Sequence, residues 1–361
     1  MTTAGSPHQT STVDREKAGA FQHRCVEDFA GLVAVACGAL GDRLGLYKAM
    51  HELGAATADQ IAARAGCNAR YVREWLLNQA ASGYVRYESD SQKFVLPAEH
   101  AEVLCNDNSP YFAAGGFETY LALLQSYERL VDCFKTGKGL GWGEHDPHLF
   151  SGTERFFRTA YKNVLVQKWI PDVPELQSKL ERGAKVADVG CGHGISTMEM
   201  AQAFPASKFY GFDNHAPSIE QARKVAAAGG LSERITYEVA SAAELPGSDY
   251  DVVAFFDCLH DMGDPQSACR RVAQILKPDG LMVLVEPMGG RTLEENFNLV
   301  GRVYTGASVL CCTPAAMASG PTQLGTVATD SALESVVKAG GFKTFKRATE
   351  TPFNRVFIAT L

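Results

Sequence analysis

The sequence predicts an α/β protein in which a helical N-terminal module precedes an open, mostly parallel β-sheet with helices on both faces. Three observations support this prediction. From residue 183 onward, short apolar runs typical of buried strands alternate with stretches of helical periodicity. Residues 186–194 indicate a strand, a turn with glycines at 190, 192 and 194, and the start of a helix. Residues 21–105 contain helical patterns and a single hairpin pattern.

Composition is typical of a globular protein. The 361 residues are enough for two domains with substantial cores, and 46% are apolar against 21% charged. No apolar run long enough to span a membrane is present. Residues 1–20 are polar, lack the layout of a signal peptide and predict a disordered tail. Ten cysteines without regular spacing indicate reduced thiols and a cytoplasmic location.

The module of residues 21–105 has the pattern of a winged helix. Its first helix is apolar on all sides, which indicates burial within the module or against a second subunit. Thr57 and Asn68 have the N-cap pattern of two short helices separated by Gly66, and a hairpin follows. The predicted helices are residues 29–40, 42–51, 58–65 and 69–82, and the predicted strands are 83–87 and 93–96.

The charge of this module argues against a nucleic-acid partner. The predicted recognition helix offers only Arg70 and Arg73, beside Glu74. Residues 1–105 hold ten Lys and Arg against twelve Asp and Glu, and the whole chain has a net charge of −7. A protein that contacts phosphates should present a positive face. We therefore expect the winged helix to serve as scaffold and homodimer contact.

Residues 106–180 predict a helical linker that also covers the substrate. Helical periodicity spans residues 119–134 and 153–169, and a glycine-rich loop lies between them at 137–143. Aromatic side chains are dense here, and Trp142, Phe157 and Tyr161 are candidate substrate contacts in a lid. Core packing is the alternative for any single ring. The pair His145 and His148 lacks a third ligand, so no metal site is expected.

The glycine turn and Asp213 predict a nucleotide-like ligand. Strand, glycine turn and helix form the place where open α/β sheets bind such molecules, and the next strand ends in Asp213, whose carboxylate suits two ribose hydroxyls. Ile195 stands where a dinucleotide fingerprint needs its third glycine, which favours a smaller ligand than a dinucleotide. Asp188 can reach an ammonium group or brace the loop. The whole run resembles the S-adenosylmethionine (SAM) site of class I methyltransferases.

The resemblance implies a fold and a set of SAM contacts. In such enzymes seven strands have the order 3-2-1-4-5-7-6, and the match covers about residues 183–361. The strands are predicted at residues 185–189, 208–212, 235–238, 252–256, 281–285, 344–347 and 356–359. The SAM contacts implied by the resemblance are Asp188, Gly190, Cys191, Gly192, Gly194, Asp213, Asn214, Ser241, Ala242 and Asp257. Ser241 and Ala242 occupy an adenine-lining position where the family often has an acidic residue.

A candidate general base follows the fourth of these strands. Asp264 and Pro265 have the pattern of a helix start, so His260 is predicted in the preceding loop at the carboxyl edge of the sheet. The segments 259–262, 277–280 and 285–287 resemble the corresponding series in small-molecule O-methyltransferases, which carry a dimerising winged-helix domain. The resemblance implies that His260 is the catalytic base, with Asp261 beside it and Glu286 nearby. Met262 replaces the tryptophan usual in that family.

The remaining patterns bear on the acceptor. Residues 296–312 predict a long, mostly apolar helix with Arg302 and Tyr304 as candidate substrate contacts. Together with the aromatic lid, this helix favours a small, partly apolar or aromatic acceptor that is methylated on oxygen. The likeness extends to actinobacterial winged-helix methyltransferases that are labelled transcriptional regulators. A thiol acceptor, a SAM-sensing DNA-binding regulator and a catalytically inactive SAM-binding scaffold remain alternatives.

Overall fold

The computed structural model describes residues 13–361, which form two compact units that divide between Cys105 and Asn106. The first unit consists of helices and a two-stranded hairpin, and the second is built on a seven-stranded sheet. The predicted α/β fold class with a helical N-terminal domain is therefore confirmed. Residues 106–180, expected to form a linker, lie within the second unit.

The helices and hairpin of the first unit follow the predicted pattern. Thr57 forms a capping box with Gln60, and the Asn68 side chain accepts the backbone N–H of Arg70. Both predicted N-caps are thereby confirmed. The strands pair antiparallel, with Arg86 opposite Val95. The elements are α1 (Arg15–Arg43), α2 (Leu46–Leu53), α3 (Ala58–Ala65), α4 (Ala69–Ala81), β1 (Arg86–Glu88), β2 (Lys93–Val95) and α5 (Ala98–Leu104).

Helix α1 is longer and more exposed than the sequence suggested. It begins at Arg15 because the Asp14 carboxylate accepts two backbone N–H groups of the first turn. The prediction of a disordered tail is wrong for residues 15–20, whereas residues 1–12 lie outside the described part. Phe29, Val33 and Leu40 are 65%, 49% and 52% exposed, so burial of this helix within its own unit is also wrong. The alternative, burial of this helix against a second subunit, stays a prediction.

No single helix among residues 13–361 is long and apolar enough to cross a membrane. Helices α1 and α2, which are bent by 70°, meet the length and composition criteria only when they are taken as a pair.

The sheet of the second unit has the order β5-β4-β3-β6-β7-β9-β8. Its first five strands are parallel, and β9 runs antiparallel to both β7 and β8. Counted along the chain within this sheet, the order is 3-2-1-4-5-7-6, as predicted. The strands are β3 (Lys185–Val189), β4 (Lys208–Asp213), β5 (Ile235–Val239), β6 (Tyr250–Phe256), β7 (Leu276–Pro287), β8 (Thr344–Glu350) and β9 (Asn354–Thr360).

Both faces of this sheet are buried. Because side chains alternate along a strand, Val186 of β3 packs into one apolar cluster while Ala187 and Val189 pack into the other. The first cluster includes Met200 and Ile219 from two helices that follow β3 and β4, and helices near the C-terminus contribute to the second. The parallel strands consequently bring their carboxyl ends to one edge, where the loops of the site begin.

Three predicted helices are interrupted. The pattern at residues 119–134 breaks at Gln125 and Ser126, and the pattern at 153–169 changes to a π-helix at Tyr161–Trp169. The predicted helix 296–312 begins only after Asn298, which caps it, and ends in a π-helix at Ser308–Cys312. The helices are α6 (Ala114–Leu124), α7 (Tyr127–Thr136), α8 (His148–Ala160), α9 (Pro174–Arg182), α10 (Ile195–Ala203), α11 (Ala216–Ala228), α12 (Pro265–Ile275), α13 (Leu299–Ala307), α14 (Thr313–Ser319) and α15 (Asp330–Ala339).

Two glycines allow α6 and α8 to pack with their backbones in contact. A Cβ atom on Gly115 would lie 2.6 Å from the backbone nitrogen of Phe156, and one on Gly152 would lie 2.6 Å from that of Thr119. Backbone atoms cannot move aside as a flexible side chain can. This close packing fixes the position of α8, which carries aromatic side chains toward the carboxyl edge of the sheet.

We expect Gly152→Ala to lower the free energy of unfolding by about 1–3 kcal/mol, because the added methyl group forces α6 and α8 apart. Gly306→Ala is the matched control, since a Cβ atom added to this helical glycine would have no neighbouring atom within 4 Å. The control should be neutral or stabilising by up to about 1 kcal/mol. Urea denaturation measures both values, and equal stability of the two variants would contradict the role of this contact.

Candidate active site

The glycine turn lies at the carboxyl end of β3 and opens into a cavity of about 700 Å³. Gly192 has a φ of +52° and no atom within 4 Å of the place where a Cβ would be, so its bare backbone borders open space. Gly194, with a φ of +80°, packs instead against the ring of Tyr237, which leaves no room for a side chain. The turn therefore offers main-chain atoms, rather than side chains, to a ligand.

Asp213, at the end of β4, holds this turn from the neighbouring strand. Its carboxylate accepts the backbone N–H of Gly192 at 2.9 Å and that of His215 at 2.8 Å. Burial raises the pKa of Asp213, and the two backbone hydrogen bonds oppose that rise. The carboxylate borders the cavity next to Asn214, so it is available to a ligand hydroxyl as well.

Asp188 braces the helix that follows the turn. Its Oδ2 accepts hydrogen bonds from the hydroxyls of Ser196 and Thr197, at 2.7 and 2.6 Å. Burial raises its pKa to about 6, although these hydrogen bonds lower it. Its Oδ1 is buried without a hydrogen-bond partner among the described residues, and the side chain is not part of the cavity wall. The sequence left two roles open for Asp188, binding an ammonium group or bracing the loop, and the observed contacts support bracing.

The cavity brings most of the predicted ligand contacts together. The predicted residues in its wall are Trp142, Phe157, Tyr161, Gly190, Cys191, Gly192, Asp213, Asn214, Ser241, Ala242, Asp257 and Asp261. The predicted residues that lie behind the wall are Asp188, Gly194, His260 and Glu286. The wall thus combines the carboxyl edge of the sheet with aromatic side chains from residues 142–161.

Several wall residues are not among the predicted contacts, although Phe150 lies in the aromatic stretch that was predicted to form the lid. Phe150 stacks on His215 with ring centroids 4.4 Å apart, and Trp142 meets Phe150 edge to face. Glu154, His193 and segments of α14 also border the cavity. The sequence offered one signal, since His215 follows Asp213 by two positions at the same sheet edge, but the stacking depends on where α8 packs.

Arg302 and Tyr304 do not reach this cavity, so their predicted place in the substrate site is wrong. Arg302 is exposed on α13. Tyr304 is buried, and its hydroxyl donates a hydrogen bond to the carbonyl of Phe353 at 3.0 Å. The predicted helix starts later than its apolar pattern indicated, because Asn298 caps it. Its face therefore packs on the loop between β8 and β9 instead of on the cavity.

His260 forms a buried pair with Glu286. Nδ1 of the imidazole lies 2.6 Å from Oε2 of the carboxylate, and the two side chains are 5% and 1% exposed. Strand β7 supplies Glu286, and His260 lies in the short turn Leu259–Asp261 after β6. The thiol of Cys312, at the end of the second π-helix, lies close enough to the imidazole to raise its pKa.

The pair stabilises a protonated imidazole. Burial lowers the pKa of His260, but Glu286 and Cys312 raise it by more, so it lies well above the ordinary imidazole value. A hydrogen bond from Cys311 lowers the pKa of Cys312, burial opposes this, and the neighbouring imidazole lowers it further. The cluster accordingly favours a positive ring between a carboxylate and a thiol.

Asp257 ties the C-terminal end of α8 to the sheet edge. It follows β6 with a φ of +53°, which is uncommon for a residue with a side chain. Its carboxyl accepts hydrogen bonds from the amide of Asn354 at 2.7 Å and from the hydroxyl of Tyr161 at 3.3 Å. Burial, followed by the nearby Glu286, raises its pKa to about 8. Tyr161 lies where α8 changes to the π-helix, so this contact anchors the C-terminal end of α8.

The two histidines at positions 145 and 148 have partners other than each other. His145 lies 3.1 Å from the hydroxyl of Ser126, and His148 lies 3.2 Å from Glu118. Across residues 13–361 there is no group of three or more His, Cys, Asp and Glu side chains arranged to hold a metal ion. The absence of a metal stays a prediction.

Two family models match the chain. Residues 31–106 match the Rv2258c-like winged HTH domain, and residues 180–331 match a family described as methyltransferase domain. Among curated relatives, the 27-O-demethylrifamycin SV methyltransferase of Amycolatopsis mediterranei is 33% identical over 145 residues. That alignment covers 40% of this chain and 51% of the relative, so the chain spans about half of the relative's length.

Solved structures share the fold over almost the whole chain. Human N-acetylserotonin methyltransferase in complex with SAM has a TM-score of 0.70 at 16% identity, covering 98% of this chain and 99% of its own. An O-methyltransferase family protein from Burkholderia thailandensis has a TM-score of 0.68 at 17% identity, covering 97% and 98%. At these identities the likeness establishes the fold. The chain therefore carries a methyltransferase domain behind a winged helix-turn-helix domain, in the fold shared by these O-methyltransferases.

Proposed function

We propose that this protein is a SAM-dependent methyltransferase that transfers the methyl group to an oxygen of a small, partly apolar or aromatic molecule. The observation that supports this most directly is the cavity itself. It joins the glycine turn and Asp213, which suit the methyl donor, to aromatic side chains that suit an acceptor. The similarity to O-methyltransferases in the methyltransferase domain agrees with this function.

The residues present fit SAM. Gly192 leaves main-chain space open to the cavity, and Asp213 offers a carboxylate to ribose hydroxyls while it holds the turn. Asn214, Ser241 and Ala242 border the cavity farther along the sheet edge, where an adenine ring would lie. When bound, SAM supplies an electrophilic methyl group. The protein's own task is then to bind and align the acceptor and to accept its proton.

We propose that His260 accepts the proton of the acceptor. Glu286 fixes the ring through Nδ1, which leaves the other nitrogen as the site of proton transfer. His260 is not part of the cavity wall, but its neighbour Asp261 is. The chain around His260 would therefore have to open for an acceptor hydroxyl to reach that nitrogen.

The alternatives predict different chemistry. A thiol acceptor ionises readily and would depend less on His260. A SAM-sensing regulator would need cations for DNA, yet Arg70 on α4 is paired with Glu74 and Arg64 on α3 is paired with Glu52. An inactive scaffold would bind SAM without turnover. No contact among the described residues favours one of these over methyl transfer to oxygen.

We also propose that the protein is a cytoplasmic homodimer that assembles through α1. Val33 lies on the exposed apolar face of this helix, and a contiguous apolar surface of this kind marks an interface. Light scattering at micromolar concentration should give twice the mass of the chain. Val33→Glu should yield monomers, whereas Tyr71→Glu on α4, which is 80% exposed, should leave the mass unchanged. A monomeric wild-type protein would contradict this assembly.

Asp213→Ala should weaken SAM binding by about 1.5–3 kcal/mol, the size of hydrogen bonds to a charged group. The substitution removes the acceptor for ribose hydroxyls and releases the N–H of Gly192. Isothermal calorimetry with a chelator present measures the dissociation constant and also tests whether a metal is needed. Glu238→Ala, at an exposed carboxylate of β5 outside the cavity, is the control. An unchanged dissociation constant for Asp213→Ala would remove this residue from the site.

His260→Ala should lower kcat on an oxygen acceptor by roughly 10²–10⁴-fold, the usual contribution of a positioned base. SAM affinity should change little, because the glycine turn and Asp213 are separate from the imidazole. Methyl-labelled SAM with the best alcohol or phenol of a screening panel measures kcat. Near-full activity of the variant on that acceptor would refute the assignment.

The pH profile provides a second readout of the same assignment. Because Glu286 raises the pKa of His260, the imidazole becomes a base only as the pH rises through a pKa above the ordinary imidazole value. Activity should therefore increase into the alkaline range. Glu286→Gln removes the carboxylate charge, so the increase should occur at lower pH. A profile unaffected by this substitution would show that the pair does not control the proton.

A further inference from the structure

The wall of the cavity carries acidic side chains and two histidines, His193 and His215. Burial lowers the pKa of His193, and Nδ1 of His215 lies 2.8 Å from the hydroxyl of Ser218. Its acidic members are Glu154, Asp213, Asp257, Asp261 and Asp264. Within residues 13–361, neither a lysine nor an arginine contributes to this wall. A ligand in the cavity therefore meets carboxyl groups without any permanently positive partner.

Four of these five carboxyl groups have partners in the protein. Asp213 holds the glycine turn, Asp257 binds Asn354 and Tyr161, and Asp264 accepts the backbone N–H of Ser267 at the start of α12. Glu154 accepts a hydrogen bond from Arg158, one turn farther along α8. Each of these four carboxyl groups therefore already has a hydrogen-bond donor within the protein.

Asp261 is the exception. Its carboxyl makes no side-chain hydrogen bond within the described part of the chain, and it borders the cavity next to Met262. Burial raises its pKa to about 8, although the positive charge of His260 opposes the rise. A carboxyl group with a raised pKa ionises more readily when a cation binds beside it and less readily when an anion binds there.

Arginines near this region lie outside the wall, and Arg158 is paired there with the carboxylate of Glu154. Arg302 is exposed on α13 and outside the wall. Arg355 is fully buried and donates to the carbonyls of Pro287 and Ala328 and to the carboxylate of Asp330. An acceptor with a carboxylate or phosphate would consequently lose its hydration without gaining a partner.

Aromatic rings complete the same wall. Phe157 and Tyr161 are stacked with centroids 6.1 Å apart, and Trp142 lies in the wall as well. Rings and carboxylates together attract apolar molecules and organic cations. We propose that the acceptor is an aromatic hydroxyl compound that is uncharged or carries a protonated amine, and that compounds bearing a carboxylate, phosphate or sulfate are rejected. This inference rests on the proposed methyl transfer and defines its substrate class.

Three catechols that differ mainly in charge test the inference. Catechol is neutral, dopamine carries a protonated amine, and 3,4-dihydroxybenzoate carries a carboxylate. Affinity for the full-length protein saturated with S-adenosylhomocysteine is measured by calorimetry, and methylation is measured separately with labelled SAM. We expect dopamine and catechol to bind at least roughly tenfold more tightly than dihydroxybenzoate. Tightest binding of dihydroxybenzoate would overturn the inference.

Separating binding from turnover distinguishes the two proposals. Binding in the expected order without methylation of any catechol would count against oxygen methylation and would leave the charge preference supported. The variant Asp261→Asn keeps the shape of the side chain but cannot ionise, and it should reduce the preference for dopamine over dihydroxybenzoate by roughly fivefold or more. Asp249→Asn, at an exposed carboxylate outside the wall, should leave the preference unchanged. An equal preference in wild type and Asp261→Asn would exclude Asp261 as its source.

Discussion

The hydrogen bond from the Gly192 N–H to the Asp213 carboxylate is the constraint on which the rest of the site depends. It connects the turn after β3 to the end of β4, two strands that the sheet already holds side by side. The turn adopts positive φ values at its glycines, and a buried carboxylate fixes one of its N–H groups. A ligand bound at this edge would contact exposed main-chain atoms of the turn and the carboxylate of Asp213. Both are already in position, so little ordering is needed on binding.

The buried pair of His260 and Glu286 is also held in a defined position, but its burial carries an unfavourable free energy of desolvation. Two ionisable groups are withdrawn from water, and one carboxylate oxygen, Oε1 of Glu286, is buried without a hydrogen-bond partner among the described residues. Such a pair is weak evidence for stability, because desolvation offsets the attraction between the charges. Groups of this kind are concentrated at functional sites, where a defined ring orientation and a shifted pKa are useful. Glu286 lies on β7, a rigid strand of the sheet, and its carboxylate therefore holds the imidazole ring in a fixed position.

The elements that were predicted correctly are those that depend on local contacts or on a repeating hydrophobic pattern. All seven strands of the large sheet, the two N-caps of the winged helix and the glycine turn depend on alternation or on side-chain-to-backbone contacts within a few residues. The changes to π-helix at Tyr161 and Ser308 were not predictable in this way, whereas the Asn298 cap is a local signal that was overlooked. Arg302 and Tyr304 were misplaced for that reason, and the stacking of Phe150 on His215 was missed because it depends on the position of α8. The exposed face of α1 shows the same limit, since an apolar pattern indicates burial but not the partner that provides it.

The proximity of Cys312 to His260 connects the proposed catalysis to a part of the chain that packs as apolar core. Both cysteines of the pair Cys311 and Cys312 are buried in an apolar cluster with Leu123 and Leu149, which agrees with a packing role. The same position nevertheless puts the Cys312 thiol close enough to the imidazole to raise its pKa. A π-helix, whose hydrogen bonds are less regular than those of an α-helix, carries that thiol. In the proposed reaction this helix therefore influences the pH at which His260 can accept a proton, because its thiol acts on the same imidazole as Glu286.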